Sequence, residues 1–197
     1  MIQSPQVIVG AKLPLRPMHV WAIRVRLQIA RRIRDLALFD IALDSKLRGC
    51  DVVSLRVADI VAAGAIRQRA IVIQQKTGRP VQFEITETAR RSIADWLKVR
   101  RGDPDGWLFP SRMDRETHLS TRQYFRLLRG WVVLIGLEPA AYGTHSMRRT
   151  KAPLIYRRTK NLRAVQLLLG HSKLESTVRY LGIEVDDALE MAEQTEV

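Results

Sequence analysis

The stretch HSMRRTKAPLIYRRTKNLRAVQLLLGHSKLESTVRY, residues 145–180, decides how the rest of the chain is read. Arg148 stands three positions after His145, His171 follows 23 positions later, and Tyr180 closes the stretch nine positions beyond that. The first pair falls on one face at the start of a helix, where the free backbone N–H groups favour an anion. Pro153 predicts an early end or a kink in that helix. In NLRAVQLLLGHS, Asn161 is suited to cap a second helix, with Leu162, Val165, Leu168 and Leu169 facing inward and Gly170 supplying the left-handed turn after it. Ser172 to Glu175, SKLE, has the form of a capping box and puts Tyr180 about two turns into a third helix. Taken singly, His171 is explained by a helix C-terminus, and Tyr180 by packing of an aromatic ring.

Composition narrows the partners. The chain has 197 residues with 33 Lys and Arg against 20 Asp and Glu, a net charge of +13, which favours a polyanion. The segment from Gly182 to Val197 inverts that balance, with six acidic residues and no Lys or Arg, and should avoid phosphates. No apolar run approaches the roughly 18 residues of a membrane span, and no signal-peptide pattern opens the chain, so the sequence reads as cytoplasmic, without a membrane partner. The single cysteine, Cys50, has no disulfide partner and fits a small, partly buried filler.

Outward from the opening stretch, the pattern is mainly helical. Residues 1–16, with Gly10, Pro5 and Pro14, read as an extended arm, and residues 17–197 as one domain. Val20, Ile23 and Leu27, then Ala30, Ile33, Leu36 and Ala37, predict two amphipathic helices. A third begins near Asp51. AIVIQQKTGRPVQFEI, residues 70–85, is the clearest β-hairpin, with Lys76 in its turn. Helices follow over TETARRSIADWLKVRR and STRQYFRLLRGWVVLIGL, the second capped by Ser120 or Thr121. The fold class is therefore mainly α with a small antiparallel β-sheet (α+β).

With these pieces in order, the chain resembles the tyrosine recombinase (phage integrase) superfamily. KLRGCDVVSLRVADI is similar to that family's first arginine box, with Arg48 at the arginine position and Asp51 three later; the hairpin supplies Lys76; His145, Arg148, His171 and Tyr180 match the C-terminal signature. The likeness covers about residues 18–190, the catalytic domain, and in extent is similar to the short fimbrial-type recombinases. It implies the catalytic-domain fold, a double-stranded DNA partner, and cutting and rejoining of DNA through a covalent 3′-phosphotyrosyl intermediate at Tyr180.

The roles carried over suit phosphodiester chemistry. Arg48 and Arg148 would hold the non-bridging oxygens with guanidinium forks, and His171 would add a hydrogen bond. Tyr180 would attack, His145 would take or position its proton, Lys76 would protonate the departing 5′ oxygen, and Asp51 would support from behind. Neither metal nor ATP is implied, and the sequence contains no P-loop and no metal-ligand spacing.

Several positions depart from the family. Only about 16 residues precede the catalytic domain, so no separate N-terminal core-binding domain is expected. Arg149 stands where a second histidine is usual, and Pro153 interrupts the helix that follows. The acidic end, LGIEVDDALEMAEQ, resembles the family's terminal segment; it either docks on a neighbouring protomer, giving a homo-oligomer on DNA, or packs on its own domain. The alternative function is a DNA-binding or regulatory protein that keeps the recombinase fold without strand exchange. An RNA-binding role rests on charge alone, and the scarcity of aromatic residues for base stacking counts against it.

Overall fold

The computed structural model describes residues 12–101, 103, 105–182 and 193. Its helices, in chain order, are α1 (Pro17–Ile29), α2 (Ile33–Ser45), α3 (Gly49–Val53), α4 (Val57–Ile60), α5 (Glu87–Val99), α6 (Thr121–Leu134), α7 (Thr144–Thr159), α8 (Leu162–Leu169) and α9 (Leu174–Leu181). Four short strands make two antiparallel pairs: β1 (Val61–Ala62) with β2 (Ala65–Ile66), and β3 (Arg69–Ile73) with β4 (Pro80–Glu84). The chain is thus mainly α with small antiparallel sheets. Among the described residues no helix is long and apolar enough to cross a membrane.

The second helix is the centre of the molecule. Both α1 and α2 form as the apolar spacing predicts, but α2 is not amphipathic: from Ala37 to Ser45 every residue is buried. Its three aspartates are each buried with a cation. Asp40 accepts from Arg24 Nε at 2.6 Å, Asp44 from Lys151 Nζ at 2.6 Å, and Asp35 pairs with Arg32. Paired in this way, a buried carboxylate is tolerated. Against the apolar face of α2 lies Trp131 of α6, edge-on to Phe39 with ring centroids 5.5 Å apart.

The hairpin of β3 and β4 forms as expected, with Ile73 opposite Pro80 and Arg69 opposite Glu84. Pro80 opens β4 rather than belonging to the turn, a position where its missing N–H costs little. The inner face, Ala70, Val81 and Phe83, is buried in the core, while Ile71 and Ile73 face out. The β1–β2 pair is too short to leave a sequence signal. Thr86 caps α5 and Ser120, rather than Thr121, caps α6, each accepting from a backbone N–H three residues on.

Two local expectations are corrected. Helix α7 does not stop at Pro153 but runs to Thr159. Met147, Arg148, Thr150 and Ala152 are all buried along it, and that burial outweighs the roughly 3 kcal/mol that an interior proline costs. Helix α9 has no SKLE capping box: it begins at Leu174, and its N-cap is Lys173, which makes no side-chain cap. Tyr180 still lies nearly two turns in.

Most of the proposed arm, residues 1–11, and the acidic terminal segment beyond Gly182 lie outside the described residues, apart from residue 193. Residues 13–15 are tied down: Leu13 N–H donates to the Ala141 carbonyl at 3.0 Å, and buried Leu15 donates to Thr150 Oγ1 at 3.0 Å.

Candidate active site

The site forms where three segment ends meet: the start of α3, the turn of the β3–β4 hairpin, and the break between α8 and α9. Asn161 Oδ1 accepts from Ala164 N–H at 2.9 Å and starts α8; Gly170, at φ 63°, ends it. No other residue fits at 170. A Cβ there would come within 2.4 Å of Val81 Cγ2 on β4, so the helix end and the strand touch through the bare glycine backbone.

That break leaves the Leu169 carbonyl without a helical partner, and two donors take it. Arg148 Nη2 donates to it at 2.6 Å and Gln74 Nε2 at 3.5 Å. Arg148 is buried, 3% exposed, and its Nη1 donates to the Lys46 carbonyl at 2.7 Å. A guanidinium at a helix C-terminus is also favoured by the helix dipole. Burial pushes the Arg148 pKa down, and the nearby Tyr180 and Asp51 oppose that shift.

Arg48 is the N-cap residue of α3, and its Nη1 donates to Gln74 Oε1. Gln74 is fully buried and also receives Thr77 Oγ1 at 3.1 Å. It therefore ties Arg48, the hairpin turn and the Leu169 carbonyl together. Asp51 is buried; its Oδ1 accepts from Gln75 N–H at 2.9 Å, next to Lys76.

Just past the glycine, His171 Nδ1 lies 3.1 Å from Thr177 Oγ1, and its Nε2 lies 3.4 Å from Arg148 Nη2. A guanidinium only donates, so Nε2 is the acceptor and Nδ1–H donates to Thr177. Burial, then Arg148 and Arg48, push the His171 pKa down to about 4, so the ring is neutral at pH 7. Tyr180 stands edge-on to His171, ring centroids 5.4 Å apart, with the Arg149 guanidinium 4.8 Å and that of Arg148 6.0 Å from its ring centre. Among the described residues its hydroxyl is buried and makes no hydrogen bond. Burial, only partly offset by Arg148 and Arg149, pushes the phenol up to about 12.

His145 and Lys76 stand at the rim. Both are exposed, and among the described residues no hydrogen bond joins either side chain to the other site residues. His145 is nonetheless held below its ordinary pKa, first by partial burial and then by Arg148, Arg149, Arg48 and Lys76. An open cleft of about 330 Å³ lies over the cluster, lined by Arg48, Thr77, Arg79, Gly170, His171 and Ser176 among others. Arg48 and Arg79 make the lining cationic, and His171 adds a hydrogen-bonding ring, a chemistry suited to an anion.

The structure therefore brings Arg48, Arg148, His171 and Tyr180 into one cluster, puts Asp51 behind it, and leaves His145 and Lys76 at its edge. Sequence reading passed over Gln74, Thr177 and the Lys46 and Leu169 carbonyls. The only hint for Gln74 was a polar residue at the inner end of an otherwise apolar strand run.

A family model described as the phage integrase family matches residues 22–185. The chain is 31% identical over 153 residues to the probable integrase/recombinase YoeC of Bacillus subtilis, spanning 78% of this chain and 80% of that protein. It is 28% identical over 152 residues to the tyrosine recombinase XerC of Erythrobacter litoralis, spanning 77% of this chain but 47% of that protein, so it covers about half the length of that relative. Among solved structures, the XerA recombinase superposes with a TM-score of 0.74 at 18% identity, over 98% of this chain and 66% of that one. The XerH recombinase bound to palindromic difH substrate gives 0.71 at 18% identity, over 93% and 53%.

Proposed function

The chain belongs to the phage integrase family, the tyrosine recombinases, and on that premise we propose that it is a site-specific DNA recombinase that works through Tyr180. The observation that carries this reading is the shared hold on Arg148: one guanidinium rests on the Lys46 and Leu169 carbonyls, touches His171, and lies beside the Tyr180 ring.

Double-stranded DNA is the partner that the family and the charge of +13 favour. A phosphodiester entering the cleft meets Arg48 and Arg148 at its non-bridging oxygens, and its charge replaces solvent around two cations already fixed in position. The Tyr180 oxygen then attacks phosphorus. The bond from phosphorus to the 5′ oxygen breaks, a 3′-phosphotyrosyl bond forms, and the 5′ oxygen leaves with a proton from Lys76. His145, neutral at pH 7 because its pKa is held down, takes the phenolic proton. Attack by another 5′ hydroxyl reverses the step, with no need for metal or ATP. Residues 17–197 form the catalytic domain in this reading, the protein acts in the cytoplasm, and copies associate on DNA.

The Tyr180 hydroxyl is buried, so α9 must shift by a small amount for attack. That same burial favours a second reading, a DNA-binding protein in which the fold persists without strand exchange. Incubation with a nicked suicide duplex in EDTA separates the two. The recombinase reading expects an SDS-resistant protein–DNA adduct that Tyr180→Phe abolishes. An adduct that survives that substitution refutes the mechanism, and duplex binding without adduct on the chain's own recombination site supports the second reading.

A further inference from the structure

Two positions before Arg48, the chain makes a turn that a lysine is ill suited to make. Lys46 ends α2 at φ 54° and ψ 19°, in the left-handed region that residues with a Cβ enter only at a cost. It is also fully buried. Its carbonyl accepts from Arg148 Nη1 at 2.7 Å, and the chain runs on through buried Leu47 into Arg48. One residue thus touches the segment of the first site arginine and the side chain of the second.

The ammonium of Lys46 explains how the turn is held. It donates to Glu84 Oε1 at 2.9 Å and Oε2 at 2.8 Å, and to the Asp44 carbonyl. Glu84 belongs to β4, so this contact reaches the hairpin that carries Gln74 and Lys76. Lys151, three positions after Arg148 on α7, closes the ring: its Nζ lies 2.6 Å from Glu84 Oε1 and 2.6 Å from Asp44 Oδ1. Asp44 Oδ2 in turn accepts from Thr86 N–H at 2.8 Å and Thr86 Oγ1 at 2.6 Å. Two cations and two carboxylates balance, which a buried group of charges requires.

We propose that Lys46 is a positioning residue for the arginine pair: its ammonium, locked to Glu84, fixes the Lys46 carbonyl on which Arg148 rests and so sets the distance between Arg48 and Arg148. The alternative open to the backbone is a flip of the peptide after Lys46. The flip relieves the left-handed conformation and turns the carbonyl away from Arg148 Nη1. The ion pair opposes it by fixing where the Lys46 side chain points. The hairpin thereby acquires a hold on Arg148 independent of Gln74.

The proposal rests on the recombinase reading for the reaction, though not for anion binding, and two measurements keep these apart. The first is titration with inorganic phosphate, followed by amide chemical shifts around Gly170 and His171. The second is the rate of adduct formation on a nicked duplex at saturating DNA, set against duplex affinity. Lys46→Met removes the charge at similar volume. It is expected to weaken phosphate binding several-fold and to slow adduct formation on the order of 10²-fold, the usual consequence of a misplaced binding group. Duplex affinity, spread over many phosphate contacts, should change far less. Glu84→Gln, which is partly exposed and keeps its volume, should move both readouts in the same direction and provides the test if Lys46→Met does not fold. Lys46→Gly separates the two contributions, because glycine adopts this turn without strain and needs no ammonium to hold it. Wild-type phosphate affinity and adduct rate in a folded Lys46→Met would overturn the proposal, whereas loss of both there, regained at least in part in Lys46→Gly, supports it. If the wild-type protein forms no adduct, the recombinase reading fails and the phosphate titration still decides the role of Lys46.

Discussion

Replacing Tyr180 with phenylalanine should make the protein more stable at the same time as it ends the proposed chemistry. Among the described residues the Tyr180 hydroxyl is buried and makes no hydrogen bond within normal geometry, while the ring stands edge-on to His171 and 4.8 Å from the Arg149 guanidinium. An unpaired buried polar group costs about 1–3 kcal/mol. Phenylalanine keeps the ring, its packing against His171 and most of the attraction to Arg149. Loss of one oxygen leaves a void too small to offset the gain, and the somewhat weaker cation–π contact takes back a few tenths of a kcal/mol. The net expectation is a gain of about 1 kcal/mol. For a domain of this size that raises Tm by roughly 2–4 °C. Urea denaturation at pH 7 should show a higher midpoint with an unchanged slope, so that the difference reports stability rather than a change in the unfolded chain. A loss of about 1 kcal/mol or more would refute the reasoning, because it would mean that Arg148 or Arg149 donates to the phenolic oxygen in the native state.

Two further outcomes follow from the break between α8 and α9. Gly170→Ala adds a Cβ at 2.4 Å from Val81 Cγ2 in a left-handed turn, so calorimetry should show a loss of about 2–5 kcal/mol; near-wild-type stability would mean that the strand and the helix end do not touch. Acid sensitivity is set in part by His171, whose pKa is pushed from 6.5 down to about 4 by burial, Arg148 and Arg48. Between those values the unfolded chain binds the extra proton, so this contribution to stability is present above pH 6.5 and lost as pH falls toward 4. The denaturation midpoint should fall over that range, and His171→Gln should flatten the fall; an equally steep fall in the variant would assign the effect elsewhere.

How much of this was legible in the sequence depends on the range of each interaction. Asn161, Gly170 and the Ser120 cap are local signals, and they begin or end helices as read; the Thr86 cap is as local but was not singled out. The intervals between His145, Arg148, His171 and Tyr180 survive because the two helix breaks that fix them are also local. Pro153 and α2 were misread for one reason: tertiary burial overrode a local rule, in the first by outweighing a lost backbone bond, in the second by supplying cations to aspartates that a periodic pattern counts as solvent-facing. Ser172 was misread as a cap because α9 begins one residue later, beyond the resolution of a four-residue pattern. Lys46 was not legible at all, and Gln74 only as a polar residue ending an apolar strand run. An uncharged amide and a lysine say nothing by themselves, and what they do depends on Leu169, 95 positions from Gln74, and on Arg148, 102 positions from Lys46.

The peptide oxygen of Leu169 is a three-way junction: it closes α8, seats Arg148 and anchors Gln74 of the hairpin. Fraying the last turn of α8 therefore removes one of the two carbonyls that hold Arg148 and the tie from Gln74 in one event. Opening here is expected to be cooperative. In a population of molecules, competence to hold an anion will be divided between intact and dismantled sites rather than graded within each one, and the protection of the Gly170 and His171 amides against hydrogen exchange counts the intact fraction.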